Sequence, residues 1–74
     1  MSRLRPAKPE HIIRVLKKLG FVKIRQSGSH AVFRHSDGRW TTVSIHKGKD
    51  VGKGLLRKIL KDANISVDDF ERLK

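Results

Sequence analysis

The sequence predicts an α+β fold in the order α-β-β-β-α, with a three-stranded antiparallel sheet and the helices on one of its faces. Three observations predict it. Apolar residues recur at helical spacing through residues 9–19 and again through 53–63. Between them, residues 21–45 fall into three short runs of strand-like residues separated by turn formers. Each helix has a single apolar face, so both must cover the same side of the sheet and leave the other side open.

The elements follow in order. Residues 1–7 read as a loose arm. Pro9 suits the first turn of a helix, where its missing N–H costs nothing. Ile12, Ile13, Val15, Leu16 and Leu19 form the first stripe, opposed by Arg14, Lys17 and Lys18, and Gly20 stops the helix. In the first strand Val22 and Ile24 are expected to point one way, Lys23 and Arg25 the other. Residues 26–29 form a turn, 30–35 a second strand, and Ser36-Asp37-Gly38 a hairpin signal before a third strand over 40–45. Residues 46–52 are a basic, glycine-bearing loop. Leu55, Leu56, Ile59, Leu60 and Ala63 line the second helix, which Asn64 caps. Residues 64–74 read as a short C-terminal helical turn: Ser66 is its N-cap, acids fill its first turn, and Phe70 is set to reach the core. The whole chain, 1–74, is read as one domain.

Hairpin register decides which side chains share the open face, because a one-residue slip turns every one of them over. A two-residue loop would set Phe33 opposite Thr42 and misalign the apolar pairs. A three-residue loop with Gly38 left-handed sets His35 opposite Arg39. It also brings Ala31 and Phe33 to the same face as Val43 and Ile45. The second choice buries a consistent apolar set. It leaves His30, Val32, Arg34, Trp40, Thr42, Ser44 and His46 on the open face, joined by Lys23 and Arg25.

Composition narrows the function classes. Lys and Arg number 18 against 7 Asp and Glu, a net charge of +11. Between His11 and Lys61 there are 13 basic residues and only 2 acids, Asp37 and Asp50. A body this cationic attracts polyanions, since bound Lys and Arg release counterions from a phosphate backbone. There is no cysteine, which excludes disulfides and thiolate metal sites. No apolar run is long enough to span a membrane, and the N-terminal residues lack the apolar stretch of a secretory signal, so a cytoplasmic location is expected.

The open face thus carries two imidazoles, cationic side chains, an aromatic ring and hydroxyls. RNA cleavage without a metal needs a base for the 2′-hydroxyl proton, cationic or hydrogen-bonding groups at the phosphorus, and a proton for the leaving oxygen. Histidine suits such work because its reference pKa, about 6.5, lets it hold or release a proton near neutrality. His30 is the candidate catalytic residue, with Gly28, Ser29 and His46 as candidate support. Gly28 permits close backbone approach to a phosphate, and Ser29 offers a hydroxyl or an N–H. Lys23, Arg25, Arg34, Trp40, Lys47, Lys49 and Lys53 are candidate RNA contacts. The plainer readings are that Trp40 is sheet packing and that the loop lysines are only solvated. His35 faces the core side and reads as structural, and His11 as solvated. His30 and His35 point to opposite faces, and no carboxylate cluster completes a shell, so neither a metal nor another cofactor is expected.

Certain strings carry a further signal. Leu16-Lys17-Lys18-Leu19-Gly20-Phe21 precedes Arg25-Gln26-Ser27-Gly28-Ser29-His30. Phe33-Arg34-His35, Asp37-Gly38-Arg39, Thr41-Thr42-Val43, His46-Lys47-Gly48-Lys49 and Gly54-Leu55-Leu56-Arg57-Lys58-Ile59-Leu60 follow. In this order and spacing, over about residues 9–70, the chain resembles the HicA (YcfA-like) toxins of type II toxin–antitoxin systems. The resemblance implies a double-stranded-RNA-binding-like fold and an mRNA-cleaving toxin whose essential histidine is that of Gly-Ser-His, here His30. It also implies a HicB-type antitoxin that covers the catalytic surface with acidic or otherwise complementary groups. Ser44 and Lys47 depart from the family, in which proline is frequent at those places. The competing expectation is a non-catalytic RNA-binding module. A DNA-binding partner is the third; its helices would need Asn or Gln for base edges and have almost none.

Overall fold

Local sequence signals set the helix ends. In the computed structural model, which describes residues 3–74, α1 spans Pro9–Lys18, with Pro9 opening it. Its C-terminus closes by a pair of backbone bonds. Phe21 N–H donates to Leu16 O at 2.9 Å and Gly20 N–H to Lys17 O at 3.0 Å, with Gly20 at φ +100°. α2 spans Lys53–Ala63 and ends the same way, through Ile65 N–H to Leu60 O and Asn64 N–H to Lys61 O. Asn64 takes the left-handed conformation there. α3 spans Val67–Leu73, and its cap Ser66 accepts a hydrogen bond from Asp69 N–H, as the sequence predicts.

The sheet is antiparallel in the order β1-β2-β3, with β1 Val22–Ser27, β2 His30–Arg34 and β3 Trp40–Ser44. The β2–β3 register is the one the three-residue loop requires: Ala31 pairs with Val43 and Arg34 with Trp40, and Gly38 is left-handed at φ +99°. Ala31, Phe33, Thr41 and Val43 are buried against the helices. There they join Ile12, Val15 and Leu16 of α1, Leu56, Ile59, Leu60 and Ala63 of α2, and Phe70 of α3 in one core. Thr41 is the one buried polar side chain among the described residues, and its hydroxyl donates to Asp62 Oδ2 at 3.0 Å.

Two expectations are corrected. The N-terminal arm is docked rather than loose from Leu4 onward; Met1 and Ser2 lie outside the described residues. Leu4 and Ala7 are buried, and Ala7 and Val51 exchange backbone hydrogen bonds of 3.1 and 2.7 Å. Two isolated apolar residues give no periodicity, so the sequence did not reveal that they close the core.

The second correction concerns β1. Its register against β2 shifts between Lys23 and Arg25, so Lys23 lies opposite Phe33 and Arg25 opposite Val32. This β-bulge breaks the simple alternation and separates two residues expected on one face. Arg25 stays on the open face. Lys23 leaves it and donates to Gln26 Oε1 at 2.9 Å. Val22 and Ile24 are both exposed rather than covered by helices.

His35 locks the far end of the hairpin to α1. Its Nε2 lies 3.1 Å from Leu19 O, its Nδ1 accepts from Asp37 N–H at 3.1 Å, and its ring meets the edge of Phe21. Donation to a carbonyl fixes the proton on Nε2. Arg39 completes the lock, bonding Asp37 at 2.7 Å and the Ala63 carbonyl. The Arg39 N–H, and secondarily its guanidinium, hold the Asp37 carboxyl below the usual carboxylate range. That contribution is therefore present at neutral pH and is lost as the pH falls from the ordinary carboxylate range through the lowered pKa of Asp37.

Gly20 sits where this lock leaves no room. A Cβ there would lie 3.1 Å from His35 Nε2, on a backbone that L-residues rarely adopt. Gly20→Ala is expected to cost about 1–3 kcal/mol, read as a lower urea midpoint. An unchanged midpoint would show that the His35 lock yields freely.

Candidate functional site

The turn that presents His30 is built from its own sequence. Ser27 pairs with His30, so Gly28 and Ser29 alone connect β1 to β2. Gly28 has φ +58° and is the only turn residue with positive φ, the pattern of a type II′ hairpin turn with glycine first. The turn is also braced. Lys23 holds Gln26, and Gln26 Nε2 donates to Gly28 O at 3.2 Å. Lys23 and Gln26 thus act on the geometry of the turn, a role the sequence did not announce for Lys23 and did not suggest for Gln26 at all.

His30 is exposed, and its imidazole has no hydrogen-bond partner among the described residues. Ser27 and Ser44 flank it in register on the open face. An unbonded ring in solvent is free to bond a ligand; a core histidine such as His35 is not. His46 lies two residues beyond β3 at the same end of the sheet, and is likewise exposed and unpaired among the described residues. The connection is close, since Ile45 N–H donates to Ser29 O at 2.6 Å.

The other end of the face has a different character. Arg34 lies between Val22 and Trp40 in register, four residues along β2 from His30, about 13 Å at strand rise. Trp40 is 59% exposed, Val22 62% and Ile24 58%. Trp40 is therefore not core packing. The three make an apolar strip beside an exposed guanidinium, with Arg25 between the strip and the His30 end.

The loop lysines divide. Lys47 and Lys49 line a recess of about 430 Å³ together with His46, whereas Lys53, at the first position of α2, does not. The far wall of that recess is the start of α1, with Lys8, Pro9, Glu10 and Ile13. None of these was a candidate site residue in the sequence, where Pro9 and Ile13 served only to build the helix, because α1 and the loop lie far apart along the chain. His11 is half-buried on α1 and takes no part in the face. Among the described residues, no three His, Cys, Asp or Glu side chains gather as a metal-binding group, and no helix is long and apolar enough to cross a membrane.

A family model described as the HicA toxin of bacterial toxin-antitoxin matches residues 10–65. No curated protein matches the chain. The matched stretch runs from the first turn of α1 to the residue after the α2 cap. It therefore holds the whole sheet, both main helices and the Gly28-Ser29-His30 turn.

Proposed function

The chain belongs to the HicA toxin family of bacterial toxin–antitoxin systems, and we propose that it is an endoribonuclease that cleaves mRNA with His30 as general base. In this reading it needs no metal, works in the cytoplasm and is held inactive by a HicB-type antitoxin. The observation that carries the reading is His30 itself: an exposed imidazole without a protein partner among the described residues, on a braced turn at one end of an open, cationic sheet face.

The chemistry is an internal transfer. His30 takes the 2′-hydroxyl proton while the 2′-oxygen bonds to phosphorus. The bond from phosphorus to the 5′-oxygen breaks, leaving a 2′,3′-cyclic phosphate on one fragment. The departing 5′-oxygen takes a proton from the same end of the sheet, where His46 is the second imidazole. Arg25 and Arg34 attract the strand along the face, and Trp40 offers a ring on which an unpaired base can stack. Gly28 and Ser29 contribute by holding the turn that presents the imidazole. Lys47 and Lys49 belong to the recess beside it, and Lys53 is a peripheral phosphate contact. The strip of Val22, Ile24 and Trp40 suits an antitoxin that covers the face with apolar as well as acidic groups.

Pure protein incubated with single-stranded RNA in excess chelator tests the reading. Fragments ending in 2′,3′-cyclic phosphate are expected. Tight binding with no cut product would reduce the protein to an RNA-binding module, and cleavage only on adding a divalent metal would overturn the metal-free mechanism.

A further inference from the structure

The recess beside His46 has a composition that the cleavage chemistry alone does not explain. Its floor is apolar, formed by Pro9, Ile13 and Ile45, and its rim is charged. Three lysines stand there, Lys8, Lys47 and Lys49, with two acids, Glu10 and Asp50. Those two acids are unusual in this chain. Every other carboxylate among the described residues is engaged: Asp37 with Arg39, Asp62 with Lys58, Asp69 with Arg72, Glu71 with Lys74, and Asp68 in an interaction of its own. Glu10 and Asp50 alone have no hydrogen bond or ion pair there, although lysines share their recess.

We propose that this recess is a base-selective nucleotide subsite, which takes the nucleotide next to the cleaved phosphate and prefers a base bearing an exocyclic amino group. The proposal rests on the His30 reading and names what its site selects. The volume of about 430 Å³ falls within the roughly 300–1,000 Å³ typical of small-molecule sites. A base lies against Pro9, Ile13 and Ile45 while its phosphate meets the lysines. Glu10 and Asp50 accept from the amino group, as carboxylates do from cytosine N4. Uracil would set carbonyl oxygens against the same carboxylates and is disfavoured.

Position favours RNA over a peptide here. Ile45, part of the floor, is hydrogen-bonded to Ser29, the residue before His30, so the recess and the turn lie at the same end of the sheet. His46 lines the recess and stands at the same end of the sheet as His30, so a strand with its scissile phosphate at His30 reaches the recess by passing round that end.

The test uses the full chain and two uncleavable 2′-O-methyl hexamers, one all cytosine and one all uracil, whose bases differ only on the pairing edge: an amino group and an acceptor nitrogen in cytosine, a carbonyl and an N–H in uracil. Nuclear magnetic resonance titration reads both affinity and the residues affected. The cytosine strand is expected to bind about fivefold or more tightly, as one amino contact implies, and to shift the signals of Ile13, Ile45 and Gly48. Glu10→Gln combined with Asp50→Asn should bring the two affinities within about twofold, because an amide donates as readily as it accepts. Both side chains are unpartnered among the described residues, so the variant keeps its fold. Equal affinities in the natural chain, or a preference that survives the double substitution, overturn the proposal. So do shifts confined to the Trp40 end, or a recess perturbed by an antitoxin peptide and not by RNA. Because neither strand can be cut, the outcome is independent of whether His30 catalyses. Selective binding without nuclease activity would sink only the cleavage reading, and cleavage with a silent recess would sink only the subsite.

Discussion

His30→Ala is expected to slow RNA cleavage by about 10²–10⁴-fold, the usual worth of one general acid–base group, while leaving the fold and RNA affinity close to those of the natural chain. The separation follows from the position of the ring. It is exposed, bonds no protein group among the described residues and belongs to neither the core nor the turn brace. Its removal should change stability by less than about 0.5 kcal/mol. Affinity survives because Arg25, Arg34 and Trp40, the groups proposed to hold the strand, remain in place. His30→Gln keeps a hydrogen-bonding side chain of similar reach but cannot cycle a proton, so it should be nearly as slow as alanine. Single-turnover cleavage of a labelled RNA, beside a filter-binding curve and a melting curve, reads all three quantities. An alanine variant that cuts at the natural rate would remove the general-base assignment. A variant that binds RNA tenfold more weakly would recast His30 as a binding group.

How much of this face the sequence disclosed depended on whether a local rule was at work. The β2–β3 register was legible because only one loop length sets Ala31 and Phe33 beside Val43, and the observed pairing has that loop. His30 and Trp40 followed from that register alone. The bulge in β1 was not legible. Lys23 and Arg25 are two apart and should share a face by alternation, and nothing in Val22-Lys23-Ile24-Arg25 marks an extra residue. β1 is wholly exposed, so no buried side chain betrayed its phase. The recess was invisible for another reason. Its two walls, Pro9 to Ile13 and Ile45 to Asp50, meet only in three dimensions, and Glu10 looks in the sequence like an ordinary acid in a first helical turn. Periodicity reports what each element buries. It is silent on which unpaired charges two distant elements bring together.

The same distinction governs the second large expected effect, Phe70→Ala. The family match ends at residue 65, yet α3 beyond it carries one of the largest fully buried side chains, Phe70, at 1% exposure. Truncating a buried phenylalanine costs about 3–5 kcal/mol. Stability runs at roughly 0.05–0.15 kcal/mol per residue, or about 4–11 kcal/mol for 74 residues. The loss is therefore a large fraction of the total, and the variant should be substantially unfolded near 37 °C. The other anchors of α3 are weaker: Val67 and Leu73 pack only partly buried against the core, the Lys18 Nζ bond to Leu73 O at 2.8 Å is exposed, and the exposed Arg72–Asp69 pair lies within α3 itself. Exposed pairs are worth about 0–1 kcal/mol, so Arg72→Ala should barely move the melting point, whereas Phe70→Ala lowers it by about 4–8 °C for each kcal/mol lost. Equal effects from the two would mean that the buried ring contributes no more than an exposed pair within the helix. The predicted inequality means that the helix is held chiefly by its buried ring, so the core under the sheet depends on a segment outside the matched stretch.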